Sequence, residues 1–161
     1  MIRQAAPEDA ADIAAIWNPV IRETAITFTT EQKTEAALAD AIAARGQLFL
    51  VAGDKGRVAG FATAFPFRNG PGYARTLEHT IHLAPRARGR GTGRALMAAL
   101  AREAAAQGAA SLWAGISSAN PAGVAFHAAI GYAHVAVLPQ VGWKLGRWHD
   151  LILMCKRLSP R

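Results

Sequence analysis

The densest chemistry in the chain lies in nine residues, Arg86-Ala87-Arg88-Gly89-Arg90-Gly91-Thr92-Gly93-Arg94. Glycines at alternate positions let a backbone turn tightly and approach a ligand with no Cβ in the way. Arg86, Arg88, Arg90 and Arg94 add fixed positive charge. The run that follows, Ala95 to Glu103, is an Ala/Leu-rich helix former. The first turn of such a helix offers unpaired N–H groups and about half a positive charge. Together these make an anion cradle suited to a pyrophosphate. The phosphate loop of nucleotidases needs a Gly-Lys-Ser/Thr ending, and no Lys occurs here. A dinucleotide fingerprint needs a third Gly two residues further on and an acidic residue about 20 positions later. The spacing differs, and that later region reads Ser111-Leu112-Trp113-Ala114. A flexible Arg-Gly tail for RNA is excluded because a strand and a helix enclose the segment.

Other reactive side chains give less. Cys155 is the single cysteine, set among Leu153, Met154 and Leu158 with no neighbouring His. It reads as a buried structural thiol rather than an acetyl carrier. His79, His82, His134 and His149 lack ligand-like spacing, so no metal site is expected.

The elements that must position the loop follow from periodicity. Ile2 to Ala5 alternates as a first strand. Pro7-Glu8-Asp9 opens a helix whose Ile13, Ile16, Trp17, Val20 and Ile21 form one buried stripe. Glu31 to Arg45 predicts a second helix ended by Gly46. Leu48–Ala52 and Val58–Phe65 predict a hairpin about an Asp54-Lys55-Gly56 turn. Residues 67–73 form an irregular loop, and Arg75–Leu83 a fourth strand that feeds the anion loop. The central helix ends at Gly108. A fifth strand covers Ser111–Ser117, and a short helix runs from Asn120-Pro121 to Gly131. The last two strands, Tyr132–Leu138 and Trp148–Lys156, are joined by 140–147. The order predicts one mixed sheet with helices on both faces in a single domain, 1–161.

Composition bounds the function. At 161 residues and 52% hydrophobic content the chain can build a full core without disulfides. No apolar run reaches the roughly 18 residues of a membrane span, and Met1-Ile2-Arg3-Gln4 lacks a secretory core. A cytoplasmic protein with no membrane partner is expected. The net charge of +7 invites a nucleic-acid reading. Yet the arginines concentrate in one loop, and the four Trp are scattered with no stacking platform. A polyanionic cofactor explains the loop, and no nucleic-acid partner is expected.

The pattern Arg88-x-x-Gly91-x-Gly93 resembles the acyl-CoA pyrophosphate loop of the GNAT N-acetyltransferase superfamily. Further features extend the likeness over nearly the whole chain. They are the strand-loop-helix at 80–107, the unit from Trp113 to Gly131-Tyr132 with Asn120 at its helix start, and Thr27-Phe28. The Pro139-Gln140-Val141 segment leads into the most distinctive part, Gly142-x-Lys144-x-Gly146-x-Trp148-x-Asp150. Together they resemble the phosphinothricin/methionine-sulfoximine acetyltransferase branch.

That resemblance implies a GNAT α/β (α+β) fold: a seven-stranded mixed sheet splayed between strands 4 and 5, in a homodimer. It implies acetyl-CoA as co-substrate, its pantetheine lying against the backbone of Ile81, His82 and Leu83. Backbone amides of Arg88, Gly89, Arg90, Gly91, Thr92, Gly93 and Arg94 would hold the pyrophosphate, and Asn120 the cofactor arm. Glu78 matches the acidic strand residue that serves as general base. A plain strand carboxylate paired with Arg75 is its competing reading. Many members place a Tyr where this chain has His127, which could protonate the leaving thiolate or pack beside the sulfur. Arg68 and Arg75 are the candidates for an acceptor carboxylate, with Phe28 and Tyr73 as pocket walls. The expected reaction is direct acetyl transfer to a small amino acid analogue. The alternatives are a protein N-terminus or polyamine as acceptor, or a non-catalytic acyl-CoA-binding module.

Overall fold

A computed structural model describes residues 1–54 and 56–158 of the chain. Its strands are β1 (Ile2–Gln4), β2 (Phe49–Asp54), β3 (Arg57–Pro66), β4 (Thr76–Leu83), β5 (Ser111–Ser117), β6 (Ala133–Lys144) and β7 (Arg147–Arg157). The helices are α1 (Ala10–Glu23), α2 (Glu35–Arg45), α3 (Thr92–Ala106) and α4 (Pro121–Ala129). One seven-stranded sheet runs in the order β1-β2-β3-β4-β5-β7-β6. Among the described residues no helix is long and apolar enough to cross a membrane.

Strand alternation divides the core in two. Phe49 and Val51 of β2 join Phe61 of β3 under α1 and α2, against Ile13, Ala14, Leu38 and Ile42. Leu50 and Ala52 point the other way, with Ala62, Ala64 and Leu77, onto Leu96 and Leu100 of α3. Helices therefore cover both faces, as the sequence predicts.

Every pairing is antiparallel except β4 with β5, which run parallel and meet only at Thr76↔Ser111, Leu77↔Leu112 and Glu78↔Trp113. Beyond Glu78, β4 stays on β3 as far as Leu83, and β5 stays on β7 as far as Ser117. The two strands diverge there, and a notch opens through the sheet.

Several boundaries shift from those predicted, each for a visible reason. Pro7–Asp9 is a 3-10 turn that precedes α1 rather than its first turn. The Asp9 carboxylate closes it, accepting from Ala6 N at 2.8 Å and from Arg3 Nη1 and Nη2 at 2.7 and 2.8 Å. The second helix starts at Glu35, not Glu31, because the Thr34 hydroxyl accepts from Ala37 N as an N-cap. Lys33 is held extended by two hydrogen bonds to the Asn18 side chain. The fourth strand begins at Thr76 rather than Arg75. Lys55 of the first hairpin turn lies outside the described residues; Gly56 beside it has φ +77°. The largest change is at the C-terminus, where 140–147 is mostly strand. Leu145 (φ 52°) and Gly146 (φ 75°) make a two-residue turn of the type that matches strand twist.

Candidate active site

A cavity of about 350 Å³ fills the notch. Glu78, His79, Thr80, Ile81 and His82 line it from β4, and Ala114 to Ser117 from β5. Asn120 and His127 close it from α4, and Ile26, Thr27, Phe28, Phe65 and Leu151 form the remaining wall. Alternation along β4 splits this lining. Leu77, Ile81 and Leu83 pack toward α3, while His82 lies against Trp17 of α1 and Phe61. Glu78 shares the His82 side. The cavity thus joins the two faces of the sheet.

Glu78 occupies the last paired rung before the strands part. Its carboxyl is half-buried, and loss of water raises its pKa above the ordinary carboxylate value. Among the described residues no ion pair reaches it, and the Arg75 Nε donates to the Gly108 carbonyl at 2.9 Å. Gly115, two residues past the rung partner Trp113, lies against the carboxyl: a Cβ there would sit 3.0 Å from Glu78 Oε1. An isolated glycine inside an apolar strand signals such a close approach, and Gly115 was legible on that ground.

The anion loop starts after a Pro85–Ala87 turn. Gly89 (φ 70°) and Gly91 (φ 80°) take left-handed backbone with open space about them, so their requirement is conformational. Gly93 differs, since a Cβ there would press on the Phe126 ring at 3.3 Å. Gly91 is the N-cap of α3 and no side chain caps it, which leaves the first-turn amides free for a ligand. Arg88, Arg90 and Arg94 are exposed around it, whereas the Arg86 Nη2 donates to Val58 O at 2.8 Å.

On α4, Asn120 caps the helix through Oδ1, which accepts from Gly123 N at 3.0 Å; its Nδ2 donors remain available. His127 is buried. Its Nδ1 donates to the Gly123 carbonyl at 2.7 Å, since a carbonyl only accepts. Its Nε2 is enclosed without a partner beside His79 and Tyr132, whose ring centroids lie 5.2 and 5.0 Å away. Burial holds His127 below the ordinary histidine pKa and takes His79 down to about 3. Both rings are neutral near pH 7.

The other expected wall residues divide. Phe28 lines the cavity; Arg68, Tyr73 and Arg75 do not. Tyr73 rides a 3-10 turn, Pro71–Tyr73, and is 41% exposed. Phe28 is held by the β6–β7 hairpin. The ammonium of the buried Lys144 donates to Thr27 O at 2.7 Å. His149 stacks on the Phe28 ring with centroids 6.0 Å apart and bonds the Lys144 carbonyl through Nε2 at 3.0 Å. Asp150 Oδ1 accepts from Gln140 N at 2.9 Å, fixing the bulge before Gly142.

Comparison with known proteins agrees with this geometry. The family model described as Acetyltransferase (GNAT) family matches residues 15–132. An L-amino acid N-acyltransferase of Escherichia coli is 36% identical over 99% of this chain and 95% of its own. A methionine sulfoximine/methionine sulfone acetyltransferase of Salmonella typhimurium is 35% identical over 98% and 94%. The crystal structure of a phosphinothricin acetyltransferase from Sinorhizobium meliloti with acetyl-CoA superposes with a TM-score of 0.92 at 32% identity, covering 99% of this chain and 88% of that one.

Proposed function

The chain belongs to the GNAT acetyltransferase family, and from that footing we propose that it moves the acetyl group of acetyl-CoA directly onto the amine of a small amino acid or analogue of the phosphinothricin and methionine sulfoximine type. The observation that carries this reading is Glu78, a half-buried carboxylate with no cation partner among the described residues, at the rung where the notch opens. An incoming ammonium must lose a proton before its nitrogen can attack, and Glu78 is the group in the cavity fit to take it, directly or through one water.

The notch supports the donor's placement. The free edge of β4 past Glu78 offers backbone groups of Ile81, His82 and Leu83 to a pantetheine lying as an added strand. One of their N–H groups would polarise the thioester carbonyl. Free amides from Gly89 to Arg94 suit the pyrophosphate, and the Asn120 Nδ2 the arm between. The His127 ring, with its proton on Nδ1, walls the sulfur side as a neutral group; proton donation to the thiolate is not assigned to it. The acceptor enters beside Ile26, Phe28, Phe65 and Leu151, a largely apolar slot. Arg68 and Arg75 lie outside that lining, so the acceptor carboxylate meets the site's rim. We read the whole chain as one catalytic unit working in the cytoplasm, where acetyl-CoA is available.

We also assign it a homodimer. β6 is an edge strand, and it carries Val135, Val137, Val141 and Trp143 exposed by 49–58%, with Leu145 of the turn and Trp148 of β7 beside them. An apolar edge of that kind is normally covered.

The test is acetyl-CoA-dependent thiol release by the purified chain with phosphinothricin, methionine sulfoximine, methionine sulfone, spermidine and an Ala-starting peptide. Turnover concentrated on the first three is the expected result. Turnover on the peptide or spermidine alone would replace the acceptor assignment. Acetyl-CoA binding without any turnover would leave a binding module.

A further inference from the structure

The distinctive C-terminal motif lies on the β6–β7 hairpin that ends the sheet, and three residues of that hairpin converge on Phe28 and its neighbour Thr27. A Cβ on Gly142 would stand 2.5 Å from Phe28 Cδ2 and Cε2, a distance that real Cβ atoms do not reach. Gly142 does not need left-handed backbone, so its requirement is space for that ring alone. Lys144, two residues on and on the same strand face, is 4% exposed and ties down the Thr27 carbonyl. His149, paired with Gly142 across the hairpin, stacks on the same ring with planes 22° apart.

We propose that Gly142, Lys144 and His149 form a latch that sets the position of Phe28 and so determines which acceptor side chains the cavity admits. This rests on the acetyltransferase reading above, with Phe28 as the acceptor wall. These three are positioning residues: they act on the substrate through Phe28 and the 26–28 backbone. Because the hairpin lies away from the Gly/Arg loop, the latch governs the acceptor and leaves the donor site alone.

The experiment uses the full chain as wild type, Gly142→Ala, Lys144→Met, Phe28→Ala and the Gly142→Ala/Phe28→Ala pair. KM is measured separately for methionine sulfoximine, phosphinothricin and acetyl-CoA. Gly142→Ala and Lys144→Met are expected to raise acceptor KM about tenfold or more and to change the ranking of the two acceptors. The acetyl-CoA KM should stay within about twofold. In the Phe28→Ala background Gly142→Ala should add less than about twofold, because the ring it strikes is gone. Thermal unfolding of the same four-protein cycle gives a readout that needs no turnover: Gly142→Ala lowers Tm with Phe28 present and not without it. If wild type acetylates neither amine, the proposed function fails while the unfolding cycle still decides the latch. Equal damage by Gly142→Ala in both backgrounds, or a parallel rise in donor and acceptor KM, overturns it. Should Gly142→Ala fail to fold, a soluble double variant supports the latch and an insoluble one overturns it.

Discussion

At the scale of residues, the proposed general base is Glu78, and its setting gives a signed prediction. A general base works only when ionised. Burial raises the Glu78 pKa above the ordinary 4.5, so kcat/KM should climb with pH through an apparent value higher than that. Glu78→Gln should remove this limb and lower kcat/KM by about 10²–10⁴ while acetyl-CoA still binds. A pH–rate profile of both proteins checks it; an unchanged acid limb in the variant would assign the titration to another group. His127 shows how environment overrides residue type. A histidine in a cavity invites the role of proton donor, but in the neutral His127 ring the one N–H proton is bound to the Gly123 carbonyl.

At the scale of elements, α4 hangs on one side chain. Asn120→Ala removes the Oδ1 cap and should cost about 1 kcal/mol of stability, read as a lower Tm. It should also raise the acetyl-CoA KM, because the free Nδ2 goes with it; an unchanged KM would remove Asn120 from the donor site. The strand, Gly/Arg loop and helix from Thr76 to Ala106 were legible because local rules decide them. Glycine supplies positive φ at 89 and 91, and the helix start needs no tertiary partner. What stayed hidden depends on distant partners. Nothing near Arg75 in sequence points to the Gly108 carbonyl, and nothing near Phe28 points to Gly142. Residues 140–147 read as a connection because Pro139 precedes them and Gly142 and Gly146 punctuate them. Pairing with β7 and the Asp150 hydrogen bond make most of that stretch strand. Gly115 could have been found from one cue, a small residue inside an otherwise apolar strand.

At the scale of the molecule, the proposed function puts donor and acceptor in one opening of the sheet, and the proposed dimer covers the sheet's apolar end. Trp143 is 58% exposed on that edge. Trp143→Lys should shift the protein from dimer to monomer mass in size-exclusion chromatography with light scattering. An unchanged mass would move the interface elsewhere.

The far end of β6 carries two messages in alternate letters. Gly142 and Lys144 face inward, while Val141, Trp143 and Leu145 face outward. The bulge before them keeps that phase: four steps on β6, from Leu138 to Gly142, match two on β7, from Leu151 to His149, so the surplus is an even two residues. On the proposed latch and dimer, point substitutions can therefore let the two messages drift apart through a lineage, altering selectivity without altering assembly, or the reverse. A single-residue insertion or deletion within 141–144 would invert both at once. Descendants of this chain should vary there by replacement, and change length only in pairs.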